Sequence, residues 1–206
     1  MKPYYILLLS IFSATAALAQ APTEGTLLVA TPEMRDPRFS ETVILLLRYE
    51  SDSVFGVAIN RPTWVEPLTA FPNMEFLQRY RGNLYFGGPM DRSNVLVLIR
   101  DPENQVLDTK PIFHDIYLST DPELLRDIIG TESTDQNLRL YAGHASWDAG
   151  QLDREIAAGH WRVIPAHADL VFAQDPLKVW QQVLALGSEI SVKLSFREPT
   201  IAATIP

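Results

Sequence analysis

The stretch that decides the fold spans residues 143–156 and reads Gly-His-Ala-Ser-Trp-Asp-Ala-Gly-Gln-Leu-Asp-Arg-Glu-Ile. Just before it, residues 138–141 form a β-prone run. We expect this run to end at Gly143, because glycine permits a sharp or positive-φ turn. A helix is then predicted, with Asp148 as its N-cap and Gln151 completing a capping box three residues later. The stretch therefore predicts a strand, a tight turn and a short helix.

Apolar residues and glycines refine this helix prediction. Trp147 and Leu152 occupy the two positions of a hydrophobic staple, which fixes the angle at which the chain enters the helix. Gly159 is predicted to end the helix. Gly150 lies in the first turn, where glycine costs about 1 kcal/mol relative to alanine. We interpret Gly150 as a point of close backbone approach, by a neighbouring strand in preference to a ligand.

The composition indicates one globular domain and excludes several classes of site. The 206 residues are 47% hydrophobic and 20% charged, which suffices for one sizeable core. Absence of cysteine excludes disulfides, thiol catalysis and thiolate metal sites. A net charge of −8 argues against nucleic-acid binding, because phosphate contacts need clustered lysine and arginine.

The first twenty residues have the pattern of a secretory signal. Lys2 is followed by an apolar run at 6–12 and by an Ala-Leu-Ala cleavage signal that ends at Ala19. The apolar run is too short to span a bilayer comfortably, so we predict cleavage after Ala19, a periplasmic or secreted protein and no membrane attachment afterwards. The predicted organisation is a signal peptide at 1–19, one domain at 20–196 and a flexible tail at 197–206.

Strand-like segments outnumber helical ones in the rest of the chain. The nearly unbroken apolar run at 42–49 predicts a central strand covered on both faces, and residues 50–53 predict the hairpin turn after it. Because strands follow strands before helices appear, we predict a single α+β domain. Strands are predicted at 25–30, 42–49, 54–59, 84–86, 95–99, 112–118, 161–164 and 190–196. Short helices are predicted at 74–80, from Pro122 to before Gly130, and from Pro176 to before Gly187.

Four regions of the chain, in order, carry a resemblance to a known family. The first combines GTLLVATP from Gly25 with DPRF from Asp36; the others are GVAINRP ending at Pro62, FGGPM at 86–90 and GHASWDAGQL at 143–152. They are similar to the first hairpin, the G-x-x-x-N-R-P segment, the G-G-P motif and the G-Y-A-G-W-x-x-G-Q-L motif of the YqgE/AlgH family. The resemblance covers about residues 25–187.

This resemblance implies a compact domain whose mostly antiparallel sheet bends into a pseudo-barrel, and it implies no established molecular activity. The AlgH name comes from a proposed regulatory role in alginate production, which makes a transcription-related regulator one candidate function. The chain differs from the usual family pattern at His144, Ser146, Asp148 and Ala149, and the export signal predicted for it is not usual in the family.

The leading functional hypothesis is a non-enzymatic periplasmic binding or interaction domain for an unknown small ligand or protein partner. Asn60-Arg61 and Gly87-Gly88 both follow apolar strands, so we expect them to meet at one end of the sheet. There, glycine amides and an arginine can hold an anion or a carboxylate. The alternative is purely structural: the glycines form a turn and Arg61 pairs with an acid or a carbonyl. The candidate ligand-binding residues are Asn60, Arg61, Gly87, Gly88, His144, Trp147, Gly150 and Gln151.

A hydrolase is the enzymatic alternative. His144, Ser146 and Asp148 are two residues apart and can share one side of an extended chain, as a nucleophile, base and acid would require. However, Asp148 is better explained as an N-cap, and no nucleophile elbow is present. The four histidines show no H-x-x-x-H pair, so neither a metal site nor a cofactor is predicted. Trp147, Trp161 and Trp180 are interpreted as core residues, whereas Trp64 is expected to be more exposed.

Overall fold

The computed structural model of the chain describes residues 21–50, 52–103, 110–129 and 137–185. The predicted signal peptide, the predicted strand at 190–196, the tail at 197–206, Gly130 and Gly187 lie outside these ranges.

Eight strands of the described chain form one curled, half-barrel sheet, with short helices packed around it. The strands are β1 Thr26–Ala30, β2 Val43–Tyr49, β3 Val54–Ala58, β4 Leu84–Phe86, β5 Met90–Arg100, β6 Ile116–Ser119, β7 Leu138–Trp147 and β8 Trp161–Pro165. The α-helices with defined bounds are α1 Pro67–Ala70, α2 Pro122–Ile129, α3 Gln151–Ala157 and α4 Ala168–Val171. Short 3₁₀ turns span Pro37–Phe39, Glu75–Arg79 and Pro176–Lys178, and residues 179–185 are helical.

The strand order is β6-β5-β7-β3-β2-β1-β8, and β4 pairs with β7 outside this path. The β4–β7 pairing is parallel and the other pairings between these strands are antiparallel. This arrangement confirms the predicted α+β fold with a mostly antiparallel, bent sheet.

The β2–β3 hairpin confirms the predicted central strand and its turn. In β2, Val43 to Leu47 are at most 3% exposed, because both faces of the strand are covered. The turn is closed by the Glu50 backbone N–H, which donates to the Ser53 carbonyl at 3.0 Å. The side chains of Leu45 and Val57 share one buried cluster, and those of Ile44 and Ala58 share another on the opposite face.

Strand β7 shows that the prediction of a strand end at Gly143 is wrong. Gly143 does take a positive φ of 71°, as its residue type allows. The strand nevertheless continues to Trp147, because pairing with β3 takes over where pairing with β4 ends. Residues 140–142 pair with β4, whereas residues 145–147 pair with β3.

The start of α3 also differs from the prediction. Its N-cap is Gly150 in the left-handed conformation, with φ 67°, and no side chain caps the first turn. Asp148 therefore is not the N-cap, although the Gln151 side chain accepts from the Asp148 backbone N–H at 3.1 Å and forms half of the predicted capping box. The expected close approach of a strand at Gly150 is wrong. A Cβ there would meet only the Arg154 guanidinium, at 3.3 Å, so the positive φ accounts for this glycine.

The end of α3 agrees with the prediction. Gly159 follows the helix with φ 78°, and its N–H donates to the Ile156 carbonyl at 2.9 Å. The His160 N–H donates to the Glu155 carbonyl at 3.0 Å, which completes a Schellman motif.

The bounds of three further predicted elements differ from those in the structure. The segment predicted as a helix at 74–80 is a 3₁₀ turn at Glu75–Arg79, and the strand predicted at 95–99 extends to Met90–Arg100. The strand predicted at 112–118 begins only at Ile116, because His114 takes φ 44° and Phe113 pairs back with Ile116 in a tight turn.

Arg139, in the first half of β7, is a buried cation that organises the core. It is 1% exposed, and its guanidinium donates to the carbonyls of Val171 at 2.6 Å and Ala173 at 2.5 Å, at the end of α4. Its charge lies 4.7 Å from the ring centroid of Tyr85 and 5.5 Å from that of Phe172. The guanidinium thus fixes the end of α4 against the sheet.

Candidate ligand-binding site

The bend of β7 at Gly143 is set by the two glycines that follow β4. A Cβ on Gly87 would lie 2.1 Å from the Gly143 carbonyl oxygen, and one on Gly88 would lie 2.1 Å from the His144 carbonyl carbon. The Gly87 N–H donates to the Ala142 carbonyl at 3.0 Å, so this amide is already used. Both glycines therefore allow two backbones to touch, which is a structural role but not the turn that was predicted for them.

Asn60 and Arg61 lie beside these glycines, so the two strand-end segments meet as predicted. The Phe86 N–H donates to the Arg61 carbonyl at 2.9 Å, and the Ala58 N–H donates to the Gly87 carbonyl at 2.9 Å. These two hydrogen bonds place residues 60–61 next to residues 86–87, which contact β7 at its bend.

The side chains of Asn60 and Arg61 hold the loop before β2. Asn60, 5% exposed, accepts from the Val43 N–H at 2.9 Å and donates to the Glu41 carbonyl at 2.8 Å. Arg61 donates to the Ser40 carbonyl at 3.0 Å, and burial lowers the pKa of its guanidinium. Arg61 therefore pairs with a carbonyl, which is the structural alternative considered for it.

Trp147 and Gln151 face the opposite side of the sheet and meet at Glu155. One carboxylate oxygen accepts from the Trp147 indole at 3.0 Å and the Trp161 indole at 2.8 Å, and the other accepts from the Gln151 amide at 2.8 Å. Trp147 and Leu152 lie in the same buried cluster, in keeping with the predicted staple. Glu155 was not predicted, although its spacing of four residues from Gln151, on one face of α3, was an available signal.

A second contact ties α3 to the sheet near Gly150. The Tyr49 hydroxyl donates to the Asp153 carboxylate at 2.7 Å. This hydrogen bond, together with partial burial and the negative charge of Asp153, raises the pKa of Tyr49 to about 12. Gly150 lines a small cavity of about 110 Å³ beside this pair.

A larger groove opens on the His144 side of the bend, and we call it the β7 groove. It has a volume of about 480 Å³. Its walls are formed by Phe55, Met74, Asp91, Ser93, Asn94, Val95, Leu96, Thr120, Pro122 and His144. Of the predicted site residues, His144 alone has its side chain among these lining residues.

His144 is the half-buried polar centre of the β7 groove. Its ring packs edge-on against Phe55, with centroids 5.4 Å apart, and its Nε2 lies 3.9 Å from the Asp91 carboxylate. Asp91 takes φ 48°, a left-handed conformation that is uncommon for a residue with a side chain. Asp91 and Phe55 were not predicted, because their proximity to His144 depends on the bulge between Met90 and Val95 and on the β3–β7 pairing.

The geometry does not form the dyad that the hydrolase hypothesis requires. Ser146 is exposed and lies opposite Phe55 on β3, on the same face as His144. Within the described ranges, the Ser146 hydroxyl makes no hydrogen bond to an imidazole. Among these described residues, no group of three or more histidine, aspartate or glutamate side chains is placed to hold a metal ion.

Comparison with known proteins identifies the family. The chain belongs to the AlgH-like family (DUF179), whose sequence profile matches residues 27–190. A UPF0301 protein of Methylococcus capsulatus is 34% identical over 168 residues, covering 80% of this chain and 91% of that protein. A UPF0301 protein of Streptomyces avermitilis is 33% identical over 168 residues, covering 78% of this chain and 84% of that protein.

Solved structures agree with the fold. A crystal structure of a Corynebacterium diphtheriae protein superposes with a TM-score of 0.66 at 28% identity, covering 81% of this chain and 88% of that one. The solution structure of AlgH from Pseudomonas aeruginosa gives a TM-score of 0.65 at 24% identity, covering 89% and 98%. Among the described helices, none combines the length and the apolar character needed to cross a bilayer.

Proposed function

We propose that this member of the AlgH-like family is an exported, non-enzymatic binding domain that holds a small ligand or a segment of a partner protein in the β7 groove. The observation that carries the proposal is the groove itself. It is a concavity of about 480 Å³ in which polar groups converge on an apolar wall, the composition of a small-molecule site.

The chemistry of the groove defines what it accepts. Phe55, Val95 and Leu96 offer apolar surface, while Asp91 and His144 offer a carboxylate and an imidazole 3.9 Å apart. These groups suit a ligand with an apolar body and a hydrogen-bond donor directed at the carboxylate.

The backbone around Asp91 supports a functional role. A left-handed conformation costs a non-glycine residue roughly 1–3 kcal/mol, and such conformations persist at binding sites that need a side chain in a fixed place. Here the conformation presents the Asp91 carboxylate to His144 across the groove.

Binding is favoured over hydrolysis by the position of Ser146. An acyl-transfer enzyme needs its nucleophilic hydroxyl within hydrogen-bond reach of a base. Ser146 and His144 share a face of β7 but no hydrogen bond joins them, and Asp148 lies beyond the strand end.

The export part of the proposal is supported by the first nineteen residues, whose charge, apolar run and Ala-Leu-Ala sequence match a cleavable signal. Expression with this segment intact, followed by cell fractionation, should give periplasmic protein. Its mass should be that of a chain that begins at Gln20. Full-length protein in the cytosol would reject export and return the regulator hypothesis to consideration.

Native mass spectrometry of the same periplasmic protein tests the groove. We expect a bound mass on the wild type, its loss in the His144→Ala and Asp91→Asn variants, and its retention in Ser146→Ala. Ser146→Ala is the matched control, because Ser146 lies on the same strand face outside the groove lining. Wild-type protein without a bound mass would contradict the proposed site. So would a bound mass that is retained in both the His144→Ala and the Asp91→Asn variants. Loss of a measured hydrolytic activity in Ser146→Ala would favour the enzyme instead.

A further inference from the structure

Trp64 is a large aromatic side chain on the surface of the domain. It is 100% exposed, and the neighbouring Val65 is 47% exposed. Single exposed aliphatic residues are ordinary, but a wholly exposed indole is a large area of apolar surface left in water. Tryptophan is also the residue type most enriched at the energetic centres of protein interfaces.

The loop that carries Trp64 is fixed on both sides. Pro62 pairs with Tyr85, and the Thr63 N–H donates to the Leu84 carbonyl at 2.8 Å. After Trp64, the Val65 N–H donates to the Thr63 hydroxyl at 3.2 Å, and the buried Pro67 begins α1. The indole is therefore presented from an ordered backbone, which reduces the entropy lost when a partner binds.

A hollow lies directly beside the exposed indole. It has a volume of about 390 Å³ and is bounded on one side by the Trp64 loop and on the other by the end of the 3₁₀ turn that contains Leu77. Half-buried Leu68 provides apolar lining, whereas Leu77 is only 1% exposed and contributes almost no accessible surface. The hollow is large enough for one indole.

The same surface carries one acid and one base that have no partner in the described part of the chain. Glu66 and Arg81 both line the hollow, and within the described ranges neither side chain makes an ion pair or a hydrogen bond. The Glu66 side chain does not cap α1, so it is not committed to the helix start. We call this surface the Trp64 patch, comprising Trp64, Val65, Glu66, Leu68 and Arg81.

We propose that the Trp64 patch binds a second copy of this chain in a twofold-symmetric dimer. Each Trp64 enters the hollow of the other copy, and each Glu66 faces the partner's Arg81. The patch is self-complementary: it contains a protruding group, a hollow beside it, and an acid and a base that are unpaired among the described residues. A twofold interface requires these features, because every contact occurs twice with the roles exchanged.

Charge and size set the strength of this dimer. Two copies of a chain with a net charge of −8 repel each other, and the two Glu66–Arg81 pairs offset that repulsion locally. Each indole buries roughly 150–250 Å². The interface is therefore small, and we expect a weak, reversible dimer.

Sedimentation velocity on the purified protein over roughly 1 μM to 1 mM tests the dimer, since this range brackets weak association. We expect a concentration-dependent dimer whose dissociation constant rises about 100-fold in Trp64→Ala, because two anchoring indoles are lost together. Leu177→Ala is the matched control: Leu177 is 68% exposed, lies outside the patch and should leave association unchanged. A wild type that stays monomeric, or a Trp64→Ala variant that associates normally, would overturn the proposal.

A charge exchange tests the twofold arrangement itself. Glu66→Arg and Arg81→Glu should each weaken association about tenfold or more, because each creates two like-charge contacts per dimer. The double variant should associate within a few-fold of the wild type, since the pairs are restored with their signs reversed. Failure of the double variant to recover, with both single variants folded by circular dichroism, would reject the pairing of Glu66 with the partner's Arg81.

Discussion

The two halves of β7 lie in opposite surroundings although one continuous strand carries both. Residues 138–141 are at most 1% exposed and pair with β5, and Leu140 and Tyr141 also pair with β4 on the other side. After Gly143 the strand pairs with β3, and only Ala145 and Trp147 remain buried. The change of neighbouring strand therefore separates a half that holds the fold together from a half that leaves one face open to the β7 groove.

The contact between Gly88 and β7 should be the most sensitive point of this arrangement. In Gly88→Ala the new Cβ would lie 2.1 Å from the His144 carbonyl carbon and 2.3 Å from the Ala145 nitrogen. Both are backbone atoms and cannot move aside as a side-chain tip can. We expect a loss of about 4 kcal/mol or more in the free energy of unfolding, measured by urea denaturation.

Gly159→Ala provides the comparison for that variant. Gly159 has φ 78°, but a Cβ there would have no atom within 4 Å. The substitution should therefore cost only about 1 kcal/mol, through backbone strain alone. Equal losses in the two variants would show that the Gly88 contact does not fix the bend of β7.

Arg139 allows the buried half of β7 to be weakened without changing the groove. In Arg139→Met the carbonyls of Val171 and Ala173 lose a charged donor, while the volume of the side chain is largely kept. We expect a loss of about 3 kcal/mol, because buried carbonyls left without a donor are costly. The ligand-bound fraction at saturating ligand should not change, because no atom of Arg139 lines the groove.

The control for Arg139 is Arg162→Met on the exposed side of β8, which should change stability by no more than about 0.5 kcal/mol. A similar small effect at both positions would mean that the Arg139 guanidinium does not hold α4.

The sequence predicted the strands better than it predicted the bend. The apolar run of β2 and the turn at 50–53 were identifiable because their signals are local. The continuation of β7 beyond Gly143 was not, because it depends on pairing with β3, about ninety residues earlier in the chain. A positive-φ glycine marks a change of direction, and only the neighbouring strands decide whether a strand ends there or bends.

Some parts of the candidate site could likewise be predicted from local sequence, and others could not. His144, a candidate from its own motif, lines the groove, and residues 60–61 and 87–88 meet at a strand end as expected. The rest of the β7 groove comes from β3, Met74, β5 and the start of α2, so no short stretch of sequence predicts it. The Asp148 prediction failed because the turn before α3 needs a left-handed residue at the N-cap, which Gly150 supplies.

Substitution of Glu155 tests how strongly α3 stabilises the half of β7 that follows Gly143. Its carboxylate accepts from two indoles and from the Gln151 amide, all of which are donors. In Glu155→Gln one of these donors must face the new amide NH₂ group, so we expect a loss of about 2 kcal/mol. Near-ultraviolet circular dichroism should report the altered packing of Trp147 and Trp161.

The matched change on α2 is Glu123→Gln. Glu123 forms an exposed ion pair with Arg126 one helical turn away, and its loss should cost no more than about 0.5 kcal/mol. If Glu155→Gln reduced the free energy of unfolding as little as Glu123→Gln does, the Glu155 carboxylate would not link α3 to β7.

The smallest expected effect concerns the Tyr49–Asp153 hydrogen bond, the other link between α3 and the sheet. The pKa of Tyr49 is raised to about 12 in the folded protein and returns to its ordinary value near 10 on unfolding. Because the folded pKa is the higher one, the stabilisation is fully present below about pH 10 and is lost as the pH rises towards about 12. The stability difference between the wild type and Tyr49→Phe should therefore be constant near neutral pH, below about 1 kcal/mol because the pair is close to solvent, and should decline above pH 10. The other tyrosines cancel in this difference, so urea denaturation at successive pH values isolates Tyr49. A difference that stays flat up to pH 12 would show that this hydroxyl does not hold α3 to β2.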